Sequence, residues 1–466
     1  MLRTSLIWES AVGSPAGTRR GPSATQLFVI SFLGLVAVGT IGLLVLPGLY
    51  TGPRLGFVDA LFTATSAVCV TGLIVVDTAS YFTPLGQAWI LLLIQLGGLG
   101  IMTLATLLIV ALGRRLTRDW EQVTGGQARV LSHVDEVSLV RAVVRTTLVL
   151  EAIGALGLWA LWRSELGASA PWHAVFHAVS AFCNAGFSTF SDSLTGFRTS
   201  PATLLWVSAL IILGGLGFVV LADLWGRFVR RVPRHLSLHT RLALLVTGLL
   251  LFGATVLFLV FESHFDLRAM GPVDRAVNAW FMSVTARTAG FNTIDYGTAS
   301  NASLFLTLLL MLVGGSPGST AGGLKTTTVA ILLLLVWNRL RGRDETSFLG
   351  RTVPKDTAER AAGIVIGSLL LLGVCVFVLL VTEYPLETEL DRARFLSLAF
   401  EAHSAFGTVG LSMGPTADLT TGGRLLIVFL MFVGRVGPLA VASSMALSRA
   451  GRPVRYRYAH EDVVVG

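Results

Sequence analysis

The sequence predicts an all-α polytopic membrane protein of four helix–pore-helix–helix repeats with pseudo-fourfold symmetry around one central pore. Three observations carry that expectation. First, 53% of the 466 residues are hydrophobic and only 13% charged, where soluble domains carry about 25% charged residues. Second, long apolar runs alternate with short ones, and basic residues collect where the long runs end. Third, four short apolar runs end in matched glycines, Gly72, Gly186, Gly290 and Gly410, at intervals of 114, 104 and 120 residues. That unit is far longer than a solenoid repeat.

In chain order, residues 1–25 are polar and irregular, with no convincing signal-peptide cleavage pattern, and read as a cytoplasmic tail. Repeat 1 (26–112) offers a spanning helix over about Gln26–Leu46, a short run over Phe57–Cys69 and a second long helix over Leu85–Leu112. Spanning a hydrocarbon core of roughly 30 Å takes about 20 residues, which the short run lacks. Repeat 2 (113–235, with its preceding cytoplasmic loop) uses Val137–Trp162, Trp172–Cys183 and Pro201–Trp225. Repeat 3 (236–340) uses Leu236–Phe265, Val273–Arg287 and Ser303–Trp337; repeat 4 (341–448) uses Thr357–Glu383, Arg394–Gly407 and Gly422–Leu447. A cytoplasmic tail, 449–466, follows. Basic clusters at Arg114-Arg115, Arg227 to Arg234, Arg339 to Arg343 and Arg449 to Arg457 fall where each repeat's last helix emerges. By the positive-inside rule these ends are cytoplasmic, giving eight spanning helices, both termini inside and all four glycine loops outside. The net charge of +8 therefore marks membrane topology rather than a nucleic-acid partner. Cys69, Cys183 and Cys375 show no paired spacing, so neither a zinc site nor a disulfide framework is expected.

A half-helix that stops inside a bilayer leaves its last carbonyls unpaired, so the irregular backbone beyond it must be buried in protein or line a watery cavity. The carbonyl end of a helix carries partial negative charge, and four such ends aimed at one point favour a cation. Glycine reaches backbone angles closed to other residues, which lets carbonyls turn toward the axis. Rings of backbone carbonyls are a known route to potassium selectivity. Close helix packing accounts for any one such glycine; four in matched context favour the pore. The residues by themselves specify a monovalent cation and no more.

The four loops, Val70-Thr71-Gly72-Leu73, Asn184-Ala185-Gly186-Phe187, Arg287-Thr288-Ala289-Gly290-Phe291-Asn292 and Thr408-Val409-Gly410-Leu411, resemble those of the Trk/Ktr/HKT superfamily of potassium transporters. The likeness covers Gln26 to Leu447 and is to the membrane subunit of the Ktr type, since one helix, not three, precedes the first short run. It implies one filter glycine from each repeat, with potassium held at the carbonyls of Thr71, Gly72, Ala185, Gly186, Ala289, Gly290, Val409 and Gly410. Plant relatives with serine at the first position favour sodium, so Gly72 points to potassium. The resemblance also implies a homodimer in the bacterial cytoplasmic membrane, seated on a separate cytosolic ring of nucleotide-binding subunits. No organic cofactor is expected in the chain. Sodium as a second ion, and channel-like flux against symport, stay open.

The last long run of repeat 3 contains Gly314-Gly315-Ser316-Pro317-Gly318-Ser319-Thr320-Ala321-Gly322-Gly323-Leu324-Lys325, which cannot continue a regular helix. It is no phosphate-binding P-loop, because Leu324 stands where a glycine must precede the lysine. A packing kink is the plain alternative; the resemblance implies an intramembrane gate beneath the filter. Lys325 and Arg435 are the basic residues expected nearest the membrane interior, where an ionisable group is a functional candidate. The family's pore-facing arginine matches Gly434-Arg435-Val436-Gly437, and Arg435 is expected near mid-helix, raising the barrier to cations and bonding the loop. Snorkelling competes for Lys325. Asp59, Asn278 and Glu401 are expected to cap or hold the short helices, His177 and His403 to be packed and hydrogen-bonded, and Arg287 to brace the filter; Glu387, Glu389 and Asp391 either enrich cations outside or form an ordinary solvated loop. A secondary transporter with discontinuous helices is the rival. A membrane hydrolase lacks any Gly-x-Ser-x-Gly or His-Glu-x-x-His motif.

Overall fold

The computed structural model describes residues 24–100, 102–103, 136–229, 236–348, 350–383 and 392–437. The expectations for Arg114-Arg115, the end of the second long helix, Arg230 to Arg234, Glu387, Glu389, Asp391 and both tails lie outside those residues. Within them the chain is helical. Its helices are α1 Ala24–Val45, α2 Phe57–Val68, α3 Thr78–Tyr81, α4 Pro84–Gly100, α5 Glu136–Leu166, α6 Ala170–Cys183, α7 Pro201–Leu216, α8 Phe218–Phe228, α9 Leu238–Phe261, α10 Pro272–Thr285, α11 Asn301–Leu312, α12 Thr326–Leu340, α13 Lys355–Thr382, α14 Arg392–Gly407 and α15 Thr421–Val436. The long–short–loop–long order occurs four times, the short members being α2, α6, α10 and α14.

Local chemistry sets the starts. Prolines sit in the first turns of α6, α7 and α10, where no backbone donor is lost. Ser237, Ser300 and Thr420 cap α9, α11 and α15 through their hydroxyls. Buried carboxylates tie the loops between repeats' helices: Glu262 accepts from Ser300 N, and Glu383 from the amide and hydroxyl of Thr420. The short helices are buried over their C-terminal halves, while their first turns, with Phe57, Val273 and Phe395, are exposed. The long ones turn apolar faces outward, as with Leu249, Phe252 and Val256 on α9 and Leu370, Val374 and Phe377 on α13, the surface a helix presents to lipid.

Three expectations are corrected. The run 201–225 is not one helix: α7 and α8 meet at Gly217, φ +83°, with a bend of 102°. α15 ends at Val436, with Gly437 at φ +94°, so Arg435 lies in its terminal turn and not near mid-helix; the rest of the expected run, 438–447, lies outside the described residues. A two-residue antiparallel pair, β1 Ser347–Phe348 with β2 Arg351–Thr352, interrupts the helical chain before α13. Among the described residues only α9 and α13 are single helices long and apolar enough to cross a membrane, with the bent α7–α8 pair a third. The separation of α11 from α12 is the break expected within Ser303–Trp337.

Candidate functional site

The four glycine loops meet. Gly72, Gly186, Gly290 and Gly410 have φ of +96°, +69°, +79° and +93°, and Val70, Asn184, Thr288 and Thr408, each two residues earlier, have φ of +56°, +59°, +69° and +50°. Left-handed backbone at β-branched residues is strained, costing on the order of 1–3 kcal/mol each, and persists only where the surroundings impose it. A Cβ added to Gly72 would strike the Ala185 carbonyl, one on Gly186 would lie 2.9 Å from the Ala289 carbonyl, one on Gly290 would strike Val409 O and one on Gly410 would strike Thr71 O. The contacts therefore run from each loop to the next and close from the fourth to the first. The carbonyl met is always that of the residue before the neighbouring glycine. All four glycines also line one cavity of about 570 Å³, whose walls include Asp77, Asp192 and Asp295. Asp77, at the cavity rim, has its carboxyl below the usual range: burial opposes ionisation, but bonds from Ser191, Ser80 and two backbone amides outweigh it.

The short helices brace these loops with hydroxyls that carry no assigned role in the sequence reading. Ser66 accepts from Gly72 N (3.1 Å) and Ser404 from Gly410 N (3.0 Å), while Ser180 donates to Phe187 O and Thr285 to Phe291 O. A second recurrent motif also went unread: Gly97-Gly98, Gly214-Gly215, Gly314-Gly315 and Gly434-Arg435 each stand 24 to 28 residues after a loop glycine. Gly97, Gly214 and Gly434 press their Cα against the carbonyls of Val68, Phe182 and Phe406 at the ends of α2, α6 and α14, leaving no room for a side chain. Aligning the helices that follow each loop exposes this signal, and it shows Arg435 standing where the other repeats have glycine.

Residues 313–325 form the expected break, and its backbone is satisfied by protein. Ser316 N and Thr320 N donate to Gly215 O and Gly214 O, Phe218 N donates to Gly318 O, and Gly323 N donates to Gly434 O. The bend at Gly217 has its cause here. In a continuous helix the carbonyls of Gly214 and Gly215 would be spent four residues on; bent away, they hold the loop. Thr320 also donates to Phe182 O, and Gly322 abuts Thr408, which puts the segment directly against the glycine ring. Ser319 packs against Gly315, and Pro317 against Gly217.

Three cations converge on this segment's carbonyls: Arg287 on Gly314, Lys325 on Ala321 (2.5 Å) and Arg435 on Thr320. Arg435 is 2% exposed, and its Nε and Nη2 have no partner. Arg287 thus braces the broken segment rather than its own loop. Asp59 pairs with Arg424 of α15, Asn278 donates to Arg198 O, and Glu401 accepts from Ser412 and Thr416; all three hold helices in place, and none caps one. His177 bonds His173 O and Ser188, and His403 bonds Ala399 O.

A family model described as TrkH, cation transport protein, matches residues 15–450. The chain is 40% identical to the potassium/sodium uptake protein NtpJ of Enterococcus hirae, over 96% of the chain and 98% of that relative. It is 38% identical to the Ktr system potassium uptake protein B of Bacillus subtilis, over 95% and 96%, and 37% identical to the protein of that name from Vibrio alginolyticus, over 95% and 94%. Its fold matches the crystal structure of the potassium transporter TrkH from Vibrio parahaemolyticus with a TM-score of 0.70 at 21% identity, covering 91% of the chain and 86% of that structure. The chain belongs to the TrkH family of cation transport proteins, as a membrane subunit of the Trk/Ktr kind and not an enzyme.

Proposed function

We propose that the chain takes up potassium across the cytoplasmic membrane through a single pore, with four repeats arranged about it and both termini inside. The observation that carries this reading is the closed succession of four left-handed glycines, each meeting the carbonyl before the next. Carbonyls of Thr71, Gly72, Ala185, Gly186, Ala289, Gly290, Val409 and Gly410 replace the ion's hydration shell, and Val70, Asn184, Thr288 and Thr408 complete the filter. The broken segment from Gly314 to Lys325 gates passage, and Arg435, hydrogen-bonded to it, raises the barrier. The names of the Bacillus and Vibrio relatives, each a component of a Ktr system, support a separate soluble partner. We assign that role to a cytosolic ring of nucleotide-binding subunits beneath a homodimer.

The test is growth of a potassium-uptake-deficient bacterium at low potassium, with the partner co-produced. Rescue by the chain and its loss in Gly290→Ser support the reading; no rescue with the protein present in the membrane overturns it. The Enterococcus relative is named for potassium and sodium, which keeps sodium-coupled uptake as the second reading. Potassium influx that vanishes when sodium is replaced by choline would select it.

A further inference from the structure

One buried carboxyl lies apart from the glycine loops and the broken segment. Glu151 lies on α5, on the stripe of Val143, Thr147, Leu158 and Trp162 that turns inward, while its neighbours Ala152 and Ile153 face out. It is 4% exposed. Among the described residues the ion pairs are Arg339–Asp344, Lys355–Glu359 and Arg424–Asp59, so Glu151 has no cation of its own. Its partners are neutral. Gln95 of α4 donates to Oε2 at 3.0 Å, and the Cys183 thiol donates to Oε1 at 3.7 Å. Cys183 closes α6 and is followed directly by Asn184, where the second glycine loop begins. The carboxyl thus sits behind the end of a pore helix, joining a helix of the first repeat to two of the second.

An ionisable group at such depth is costly, and it persists where an ion or proton path uses it. Here burial favours the neutral acid, while two donors favour the carboxylate. Among the described residues no ion pair locks either state. Helices α1, α4 and α7 carry no titratable side chain. On α6, His173 and His177 are committed to Thr189 and Ser188, and Arg145 on α5 is exposed. The remaining charge is Arg435, bonded to Thr320 O, while Thr320 itself donates to Phe182 O beside Cys183; Arg435 Nε and Nη2 are unpartnered.

We propose that Glu151 is a proton-binding site in the wall of the pore, and that its occupancy sets the rate of cation passage. Ionised, it places a negative charge behind the second glycine loop and offsets Arg435, which stabilises a cation beneath the filter. Protonated, it withdraws that field, so influx rises with pH through its titration. A unit charge in the protein interior that shifts a barrier by about 1.4 kcal/mol changes a rate roughly tenfold.

This rests on the uptake reading, and the two fail differently. Rubidium influx is measured in membrane vesicles from a strain carrying the chromosomal gene or its variants, with inner and outer pH set equal between about 6 and 9. The wild type is expected to gain influx with rising pH. Glu151→Gln should hold one rate across the range, and Glu151→Asp should keep a pH-dependent rise. Gln95→Leu, which removes a donor to the ionised form, should move the midpoint up by about one pH unit and serves where Glu151→Gln fails to reach the membrane. A wild-type profile retained in Glu151→Gln, a wild-type midpoint in Gln95→Leu, or pH-independent influx in the wild type overturns the inference. Absence of any influx in the wild type overturns the uptake reading instead.

Discussion

At Gly290 the backbone alone forbids a side chain twice over. Its φ of +79° costs an L-residue about 1–2 kcal/mol, and a Cβ would strike Val409 O while lying 3.0 Å from the Gly186 Cα and 3.2 Å from the Gly410 Cα. Gly290→Ala is therefore expected to lower rubidium influx at least about tenfold at unchanged membrane content, measured by isotope uptake against immunoblot. Arg435 poses the opposite case. Its guanidinium is buried, bonded to Thr320 O and otherwise unpartnered, so its charge acts at low dielectric. Arg435→Ala should raise influx by about tenfold, and Arg435→Lys should stay near the wild type. Equal influx in Arg435→Ala and the wild type refutes an electrostatic barrier at this position. The sequence marks Arg435 as buried and basic, but its terminal position in α15 follows from Gly437 at φ +94°, a backbone angle no composition reveals.

The four short helices do their work through their last turns. Ser66 and Ser404 hold the amides of Gly72 and Gly410, each bond contributing about 1 kcal/mol net. Ser66→Ala and Ser404→Ala should each loosen one quarter of the ring and lower potassium-over-sodium selectivity by about fivefold, read as the ratio of uptake rates. Unchanged selectivity in both would leave the hydroxyls a packing role only. The helices that follow are constrained as tightly, since Gly214 meets Phe182 O with no space between. Gly214→Val is expected to abolish folding or assembly, seen as loss of monodisperse protein in detergent. Break positions were legible where glycine and proline accumulate, as from Gly314 to Gly323. The bend at Gly217 was not: one glycine in an apolar run is compatible with a straight helix, and the bend depends on carbonyls that a distant segment engages.

Across the molecule, the succession of loops has to close, and the contact that closes it at the periphery is Arg424 of α15 on Asp59 of α2. Both side chains are about a quarter exposed, so the pair contributes on the order of 1 kcal/mol or less. Asp59→Asn should lower the midpoint of thermal unfolding in detergent by about 1 °C, and the Asp59→Arg, Arg424→Asp double variant should recover most of it. Failure of the swap to recover would assign the effect to Arg424's other bond, to Ala417 O.

By itself the sequence determined the membrane class, the four short runs and their glycines, and the broken segment in the third repeat. Each rests on local chemistry: hydropathy, helix length against bilayer thickness, and the conformations that glycine and proline permit or forbid. Only the tertiary structure decided which loop meets which, that α7 and α8 bend to hold the broken segment, that Arg287 reaches Gly314 rather than its own loop, and that Glu151 lies behind Cys183. Those facts depend on pairs of residues far apart in the chain, such as Thr320 on Phe182 and Gly410 against Thr71. A backbone carbonyl's partner carries no mark in the sequence, because every residue supplies the same carbonyl and packing alone chooses among them.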